Sequence, residues 1–132
     1  MAATMTENSI AVGRIRAFAR RGALPHALIL SGSGDRLEAA RYAAAAMLCS
    51  AEDKPCLQCN QCRKVLAGIH PDVLLVEESS IKPAVRHLLA EEGILAEPGA
   101  AVGMAAISEG QVPAAGSLLV VSGRNTALDV LL

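Results

Sequence analysis

The spacing of apolar and polar positions divides much of the chain into helical and extended segments. Residues 10–20 place apolar side chains three or four positions apart with arginines between them, which predicts an amphipathic helix. The alanine-rich residues 35–49 predict a second helix, because alanine is the best helix former. Residues 63–67 and 81–92 predict two further helices, with Pro83 in the first turn of the longer one.

Short apolar runs without helical spacing predict strands. They are residues 26–30, 73–76, 102–107 and 118–121. The first run enters a glycine turn and precedes the alanine-rich helix, an order that is typical of the opening of an α/β domain. A last helix is predicted to start at Ala127, too close to Leu132 to be stable by itself. We therefore expect residues 1–132 to form one α/β domain, with a parallel sheet flanked by helices, that is incomplete at its C-terminal end.

The composition supports a folded domain with a modest core. Hydrophobic residues make up 52% of the chain and charged residues 19%, which excludes the intrinsically disordered class. The apolar residues are mainly Ala, Leu and Val, with one Phe, one Tyr and no Trp. We therefore expect a core of small side chains, each of which buries little area.

Charge and hydropathy restrict the partners and the location. A net charge of −1 offers no overall field to attract a polyanion, so we expect DNA to be contacted only indirectly. No apolar run reaches the roughly 20 residues of a membrane span, and the N-terminus lacks the pattern of a secretory signal. We expect a cytoplasmic protein without membrane contact, and in that reducing compartment clustered cysteines favour a metal over disulfides.

Four cysteines carry the strongest chemical signal in the chain. Cys49, Cys56, Cys59 and Cys62 are spaced C-x6-C-x2-C-x2-C. Four thiolates surround one Zn²⁺ tetrahedrally, and the x2 spacing lets neighbouring cysteines wrap one ion through a tight turn. Because sulfur would fill all four positions, no place remains for a catalytic water. The spacing predicts a structural zinc module with one ion over residues 49–62.

Other chemistries stay open at these residues. An iron–sulfur cluster also uses closely spaced cysteines, and a redox pair is a further alternative that leaves two thiols unexplained. His70 follows Cys62 by eight positions and is a candidate replacement ligand, but its place beside Pro71 is more typical of a turn.

A glycine turn stands where a phosphate-binding loop is expected. Its residues are Gly32, Ser33, Gly34, Asp35 and Arg36. A Walker loop reads G-x-x-x-x-G-K-[ST], in which the lysine contacts phosphate and the hydroxyl residue holds Mg²⁺. This turn is shorter, and a negative Asp35 near the place of the lysine would repel a triphosphate. We interpret it as a degenerate phosphate loop, expect no ATP binding and predict no catalytic residue in the chain.

A basic cluster on the first helix is a further candidate for phosphate contact. It consists of Arg14, Arg16, Arg20 and Arg21. Clusters of this kind are more often a solvated helix face than a binding site.

Several motifs together carry a resemblance to a known family. They are residues 24–32 (LPHALILSG), residues 46–49 (AMLC), the cysteine spacing, and residues 68–73 (GIHPDV). In order and spacing they resemble the N-terminal domain of the delta-prime family of bacterial DNA polymerase III clamp-loader subunits. The resemblance extends over about residues 10–89.

The resemblance implies a fold and a function. It implies an AAA+ domain of the P-loop NTPase type with a zinc module whose ligands map onto Cys49, Cys56, Cys59 and Cys62. It also implies a non-hydrolysing structural role within the DNA polymerase III holoenzyme, in a ring with delta and gamma/tau subunits that loads the sliding clamp. The family's Walker B strand, trans-acting arginine motif, lid and collar have no recognisable counterpart in this sequence.

Two rival functions remain. One is a divergent P-loop NTPase that still binds ATP through backbone amides. The absence of the loop lysine argues against it. The other is a free-standing zinc or iron–sulfur module that binds nucleic acid, for which the arginine cluster argues.

Overall fold

Five α-helices and one 3-10 helix form the regular secondary structure of residues 10–126, the part of the chain that the computed structural model describes. The helices are α1 (Ile10–Arg20), α2 (Arg36–Leu48), α3 (Asn60–Leu66), α4 (Glu78–Glu92) and α5 (Val102–Ser108), with the 3-10 helix at Pro98–Ala101. The chain divides into two compact units, unit 1 (Met1–Val73) and unit 2 (Leu74–Leu132). The expected single domain with a zinc module inserted at residues 49–62 stays a prediction.

The expected α/β fold with a P-loop NTPase-like (AAA+) parallel sheet is wrong, because residues 10–126 contain helices and no strand. Residues 26–30, 73–76 and 118–121 are irregular connections, and residues 102–107 lie in α5. A strand needs a neighbouring strand to pair its backbone groups, and an apolar run by itself does not supply one. Ile29 and Leu118 are 95% and 91% exposed, so their runs do not form a buried sheet.

The helices predicted between residues 10 and 92 are confirmed, although several ends differ. α1 has the predicted bounds, and α2 begins at Arg36 because the side chain of Asp35 caps it. α4 begins at Glu78, so Pro83 lies inside the helix rather than in its first turn. The helix predicted from Ala127 lies outside the described residues. None of the helices in residues 10–126 combines the length and the apolarity that crossing a bilayer requires.

In unit 1, α1 packs against α2 through small and branched apolar side chains. The buried residues are Val12, Ile15 and Ala19 of α1 and Ala39, Tyr42, Ala43 and Ala46 of α2. Tyr42 is 1% exposed, and its hydroxyl accepts a hydrogen bond from Nε of Arg16 at 2.8 Å. Alanines around one aromatic ring therefore form the small-residue core expected from the composition.

Another side of α2 packs against α3. This cluster consists of Ala45, Cys49, Cys62 and Val65. α2 buries several of its sides because alanines occupy six of its 13 positions, so it lacks the single apolar stripe of an amphipathic helix. α2 thereby links the packing of α1 to the cysteine cluster.

Unit 2 has a core of its own between α4, the 3-10 helix and α5. Its buried residues are Ala84, Val85, Leu88, Ala96, Ala100, Ala101 and Ala105. α4 ends at Gly93, whose φ of 65° suits a residue without a Cβ, and the N–H of Ile94 donates to the carbonyl of Leu88 at 2.9 Å.

Candidate metal centre

The four cysteines come from three adjoining pieces of unit 1. Cys49 directly follows α2, Cys56 and Cys59 lie in the loop between α2 and α3, and Cys62 lies in the first turn of α3. Cys59 is the N-cap of α3, and its Sγ accepts a hydrogen bond from the N–H of Cys62 at 3.5 Å. The start of α3 therefore positions both of these sulfurs.

The structure brings all four predicted ligands together. Their Sγ atoms lie within 4.8 Å of one another, and the Sγ atoms of Cys49 and Cys59 are 4.0 Å apart. Four sulfurs held tetrahedrally at about 2.3 Å from one zinc ion are about 3.8 Å apart. A disulfide needs an S–S distance of about 2.05 Å, and the cysteines are free thiols. The arrangement is compatible with a single tetrahedral metal ion.

Backbone N–H groups point at three of the sulfurs. The N–H groups of Ala51 and Cys56 each donate to Sγ of Cys49 at 3.4 Å, and the N–H of Cys59 donates to Sγ of Cys56 at 3.3 Å. At Cys56 such donors favour the thiolate over the thiol. Because the thiolate is the form of cysteine that binds metals, the loop is prepared for that role.

The pKa values of the loop cysteines respond to these donors. Hydrogen bonds from the backbone of Cys62 and Ser50 lower the pKa of Cys59 to about 5. Backbone hydrogen bonds from Gln58 and Cys59 also lower the pKa of Cys56. Both thiols are therefore biased towards the deprotonated form that a metal ion requires.

Cys62 differs from the loop cysteines because it is buried. Its exposed fraction is 0%, and this burial raises the pKa of its thiol to about 12. The Sγ atom lies 3.8 Å from the carbonyl oxygen of Ala45, which accepts a weak hydrogen bond from it. A buried thiolate here needs a compensating positive charge, which a divalent cation held by all four sulfurs would supply.

A surface ion pair connects the cysteine loop to α1. Nε and Nη2 of Arg20 lie 2.9 and 3.3 Å from the two carboxylate oxygens of Asp53. The hydrogen bond and the charge of Arg20 lower the pKa of Asp53, and the same pair raises the pKa of Arg20. This pair was not predicted from the sequence, because the two residues are 33 positions apart and no pattern links them.

Leu57 is a further residue of the cysteine loop whose role was not predicted from the sequence. It lies between Cys56 and Cys59 and has a positive φ of 59°, a conformation that is uncommon for a residue with a side chain. Its side chain packs against both apolar clusters of unit 1. This contact accounts for a leucine at a position where glycine or asparagine would have signalled the turn.

His70 is not a ligand in this arrangement. Its Nδ1 accepts a hydrogen bond from the N–H of Asp72 at 3.1 Å, and its Nε2 lies 3.1 Å from Oε1 of Gln61. With Nδ1 accepting, Nε2 carries the proton and donates to Gln61. Both ring nitrogens of His70 thus anchor the turn after α3. This is the turn role that the position of His70 beside Pro71 predicted.

The glycine turn that was predicted to be a degenerate phosphate loop lies at the start of α2 and is exposed. Gly32, Ser33, Gly34, Asp35 and Arg36 border an open groove of about 200 Å³. Oδ1 of Asp35 accepts a hydrogen bond from the N–H of Glu38 at 2.8 Å. A carboxylate therefore takes one of the helix N–H groups that a bound phosphate would use.

Comparison with known proteins assigns the family. The sequence matches the family described as DNA polymerase III, delta subunit over residues 7–101, a stretch that includes the glycine turn and all four cysteines. The chain belongs to this family. It is therefore a protein of the DNA polymerase III clamp-loader type, with a clamp-loader-like role in DNA replication and a place in that complex. Comparisons with curated proteins and with solved structures give no significant match.

Proposed function

We propose that this clamp-loader-type protein is a delta-prime-like subunit that does not hydrolyse ATP and that helps to load the sliding clamp as a structural component. Its partners in this role are the delta and gamma/tau subunits. Family membership supports the role in replication, and the resemblance of the motifs in residues 24–73 to delta-prime supports the choice of subunit.

The observation that carries the proposal is the cysteine quartet in a member of this family. The four Sγ atoms converge within 4.8 Å, and the quartet joins the end of α2 to the start of α3. We propose that Cys49, Cys56, Cys59 and Cys62 hold one zinc ion. With four sulfur ligands the ion supplies folding energy and no catalytic water.

The sulfur distances favour one ion over an iron–sulfur cluster. A cluster distributes its four cysteines over several iron atoms, so sulfurs bound to different irons lie farther apart than sulfurs around a single ion, whereas all four Sγ atoms here lie within 4.8 Å of one another. The separation of 4.0 Å between the sulfurs of Cys49 and Cys59 is close to the value of about 3.8 Å for a shared zinc ion.

The absence of ATP hydrolysis is supported by Asp35. Its negative side chain is held at the N-terminus of α2 by the hydrogen bond from Glu38. A triphosphate at this end of the helix would meet a carboxylate at close range without a lysine to offset it. The proposal therefore assigns ATP hydrolysis to other subunits of the complex.

Reconstitution of the complex tests the proposed function. The full chain is mixed with the delta and gamma/tau subunits of its own organism, and the mixture is analysed by size-exclusion chromatography with metal analysis of the fractions. We expect co-elution of the subunits with one zinc ion in this chain. Elution of this chain alone, when the other subunits still form their complex, would contradict the proposed role.

A nucleotide titration of the isolated chain tests the non-hydrolysing part. We expect no binding of ATP with Mg²⁺ tighter than about 100 μM, which corresponds to roughly −5.5 kcal/mol. Tighter binding would favour the divergent NTPase. The variant Asp35→Asn is the matched comparison, because it removes the charge and keeps a side chain that can cap α2.

A further inference from the structure

The charges of the chain are divided unequally between its two units. Unit 1 contains nine Lys and Arg against six Asp and Glu, whereas unit 2 contains three against seven. The net charge of −1 for the whole chain is therefore the sum of a basic unit, at +3, and an acidic unit, at −4. Such asymmetry between parts of a chain is typical of proteins that meet a polyanion with one part only.

Part of the positive charge of unit 1 lies on the exposed side of α1. Arg14 of α1 and Arg21, in the turn directly after α1, are exposed, α1 contains no acidic residue, and neither arginine forms an ion pair with a carboxylate among residues 10–126. The guanidinium of Arg21 lies 5.2 Å from the ring centroid of Phe18, which holds it against the surface. Arg20 lies on the same side and shares its charge with Asp53.

The surface between these arginines is exposed and carries only small residues. Gly13 and Ala17 are exposed there, and apart from the neighbouring backbone of α1, a Cβ added to Gly13 would meet no atom of the described residues within 4 Å. Glycine inside a helix costs roughly 1 kcal/mol relative to alanine. No packing contact among residues 10–126 accounts for glycine at this place, whereas a close approach of another molecule would use the space.

We propose that the exposed side of α1, with Arg14 and Arg21 as its charged contacts, binds the phosphate backbone of duplex DNA without reading its sequence. The two arginines are seven positions apart, and because Arg21 directly follows the last residue of α1, the helical rise separates their backbones by about 10 Å, which lets them reach separate phosphates. Guanidinium groups bind phosphate oxygens in pairs, and this helix carries arginines and no lysine.

This contact goes beyond the proposed subunit role and does not depend on it. The expectation that DNA is contacted only indirectly came from the net charge of the whole chain. In that sum the negative charge of unit 2 offsets the positive charge of unit 1. DNA is favoured over an acidic protein because the chain has its role in DNA replication, where duplex DNA is the abundant polyanion.

Fluorescence anisotropy with a labelled duplex of about 20 base pairs tests this inference. The full, metal-loaded chain is titrated at salt concentrations from 20 to 200 mM, with a second duplex of unrelated sequence. We expect dissociation constants in the micromolar to 100 μM range at low salt, equal for both sequences, and a logarithmic salt slope of about −2 for two phosphates.

Single substitutions locate the contact. Arg14→Gln and Arg21→Gln should each weaken binding about tenfold at 50 mM salt and reduce the salt slope by about 1. Arg124→Gln in unit 2 removes the same charge from an exposed position and should change the dissociation constant less than twofold. Circular dichroism and metal content confirm that each variant folds.

Three results would overturn the inference. The first is no DNA binding by the intact chain at 20 mM salt, and the second is an equal loss for Arg124→Gln and for the α1 variants. The third is displacement of the DNA by polyglutamate as effectively as by unlabelled duplex at the same charge concentration, which would identify an acidic protein as the partner. The titration uses no other subunit, so its failure leaves the reconstitution result unaffected.

Discussion

Replacing Cys62 with serine measures how far unit 1 depends on a metal ion. Serine is close to cysteine in size, but its hydroxyl is a poor substitute for a thiolate as a ligand of zinc. Cys62 is fully buried against Ala45, Cys49 and Val65. The substitution therefore removes one of the four proposed metal ligands and leaves the apolar packing of this cluster almost unchanged.

Two contributions determine the expected loss of stability. A buried hydroxyl that lacks a full hydrogen bond costs about 1 kcal/mol, the low end of the range, because the carbonyl of Ala45 lies nearby. A metal present at about 1,000 times its dissociation constant stabilises the folded state by about 4 kcal/mol. The sum is about 5 kcal/mol. In a unit of this size each kcal/mol shifts the transition temperature by roughly 4–8 °C, so we expect a decrease of at least about 20 °C.

Tyrosine fluorescence provides an assay that is specific for unit 1. Tyr42 is the single tyrosine of the chain, there is no tryptophan, and its ring lies in the core between α1 and α2. Chelation should lower the transition temperature of the unaltered chain and leave that of Cys62→Ser unchanged. Asp53→Asn, a substitution in the same loop, should keep both the metal and the response to chelator. An unaltered chain that is insensitive to chelator would refute the reasoning.

Three further predictions concern the parts of the fold that do not touch the metal. Gly13→Ala should stabilise unit 1 by about 0.5–1 kcal/mol in urea denaturation, because the added methyl group lies in open space on α1. A loss of stability would contradict the exposed position of Gly13. Leu88→Ala, at 2% exposure in the core of unit 2, should cost about 2–5 kcal/mol by circular dichroism; a cost below about 1 kcal/mol would contradict that packing. Arg20 lowers the pKa of Asp53 below 3.8, so the stabilisation from this pair is present above about pH 4 and is lost as the pH falls through the lowered value. Asp53→Asn should therefore flatten the acid side of the stability profile, and an unchanged profile would contradict the pairing.

The helices were predictable because their signals are local. Arginines between apolar residues in α1, the Asp35 cap of α2 and Gly93 after α4 each specify a helix or its end within a few positions. The cysteine spacing is local in the same sense, since an x2 loop together with the start of α3 brings the sulfurs of Cys59 and Cys62 to one side.

The strands were predicted wrongly because strand formation depends on distant partners. Residues 26–30 and 118–121 have the composition of buried strands, but nothing in a short apolar run specifies which segment pairs with it. Residues 102–107 form part of α5, where Ala105 and Ala106 are buried. The pair formed by Arg20 and Asp53 was not predicted for a related reason. A contact between residues 33 positions apart depends on how the folded chain places the cysteine loop against α1, which no local pattern specifies.

Metal analysis combined with counting of reactive thiols tests the central claim most directly. The full chain is purified without added chelator, its metal content and visible absorption are recorded, and its thiols are titrated before and after chelation. Four sulfurs on one structural zinc ion predict one zinc per chain, no visible absorption, and four thiols that become reactive only after the metal is removed. Coloured, iron-containing protein, or four reactive thiols in a folded chain that retains no metal, would contradict the account.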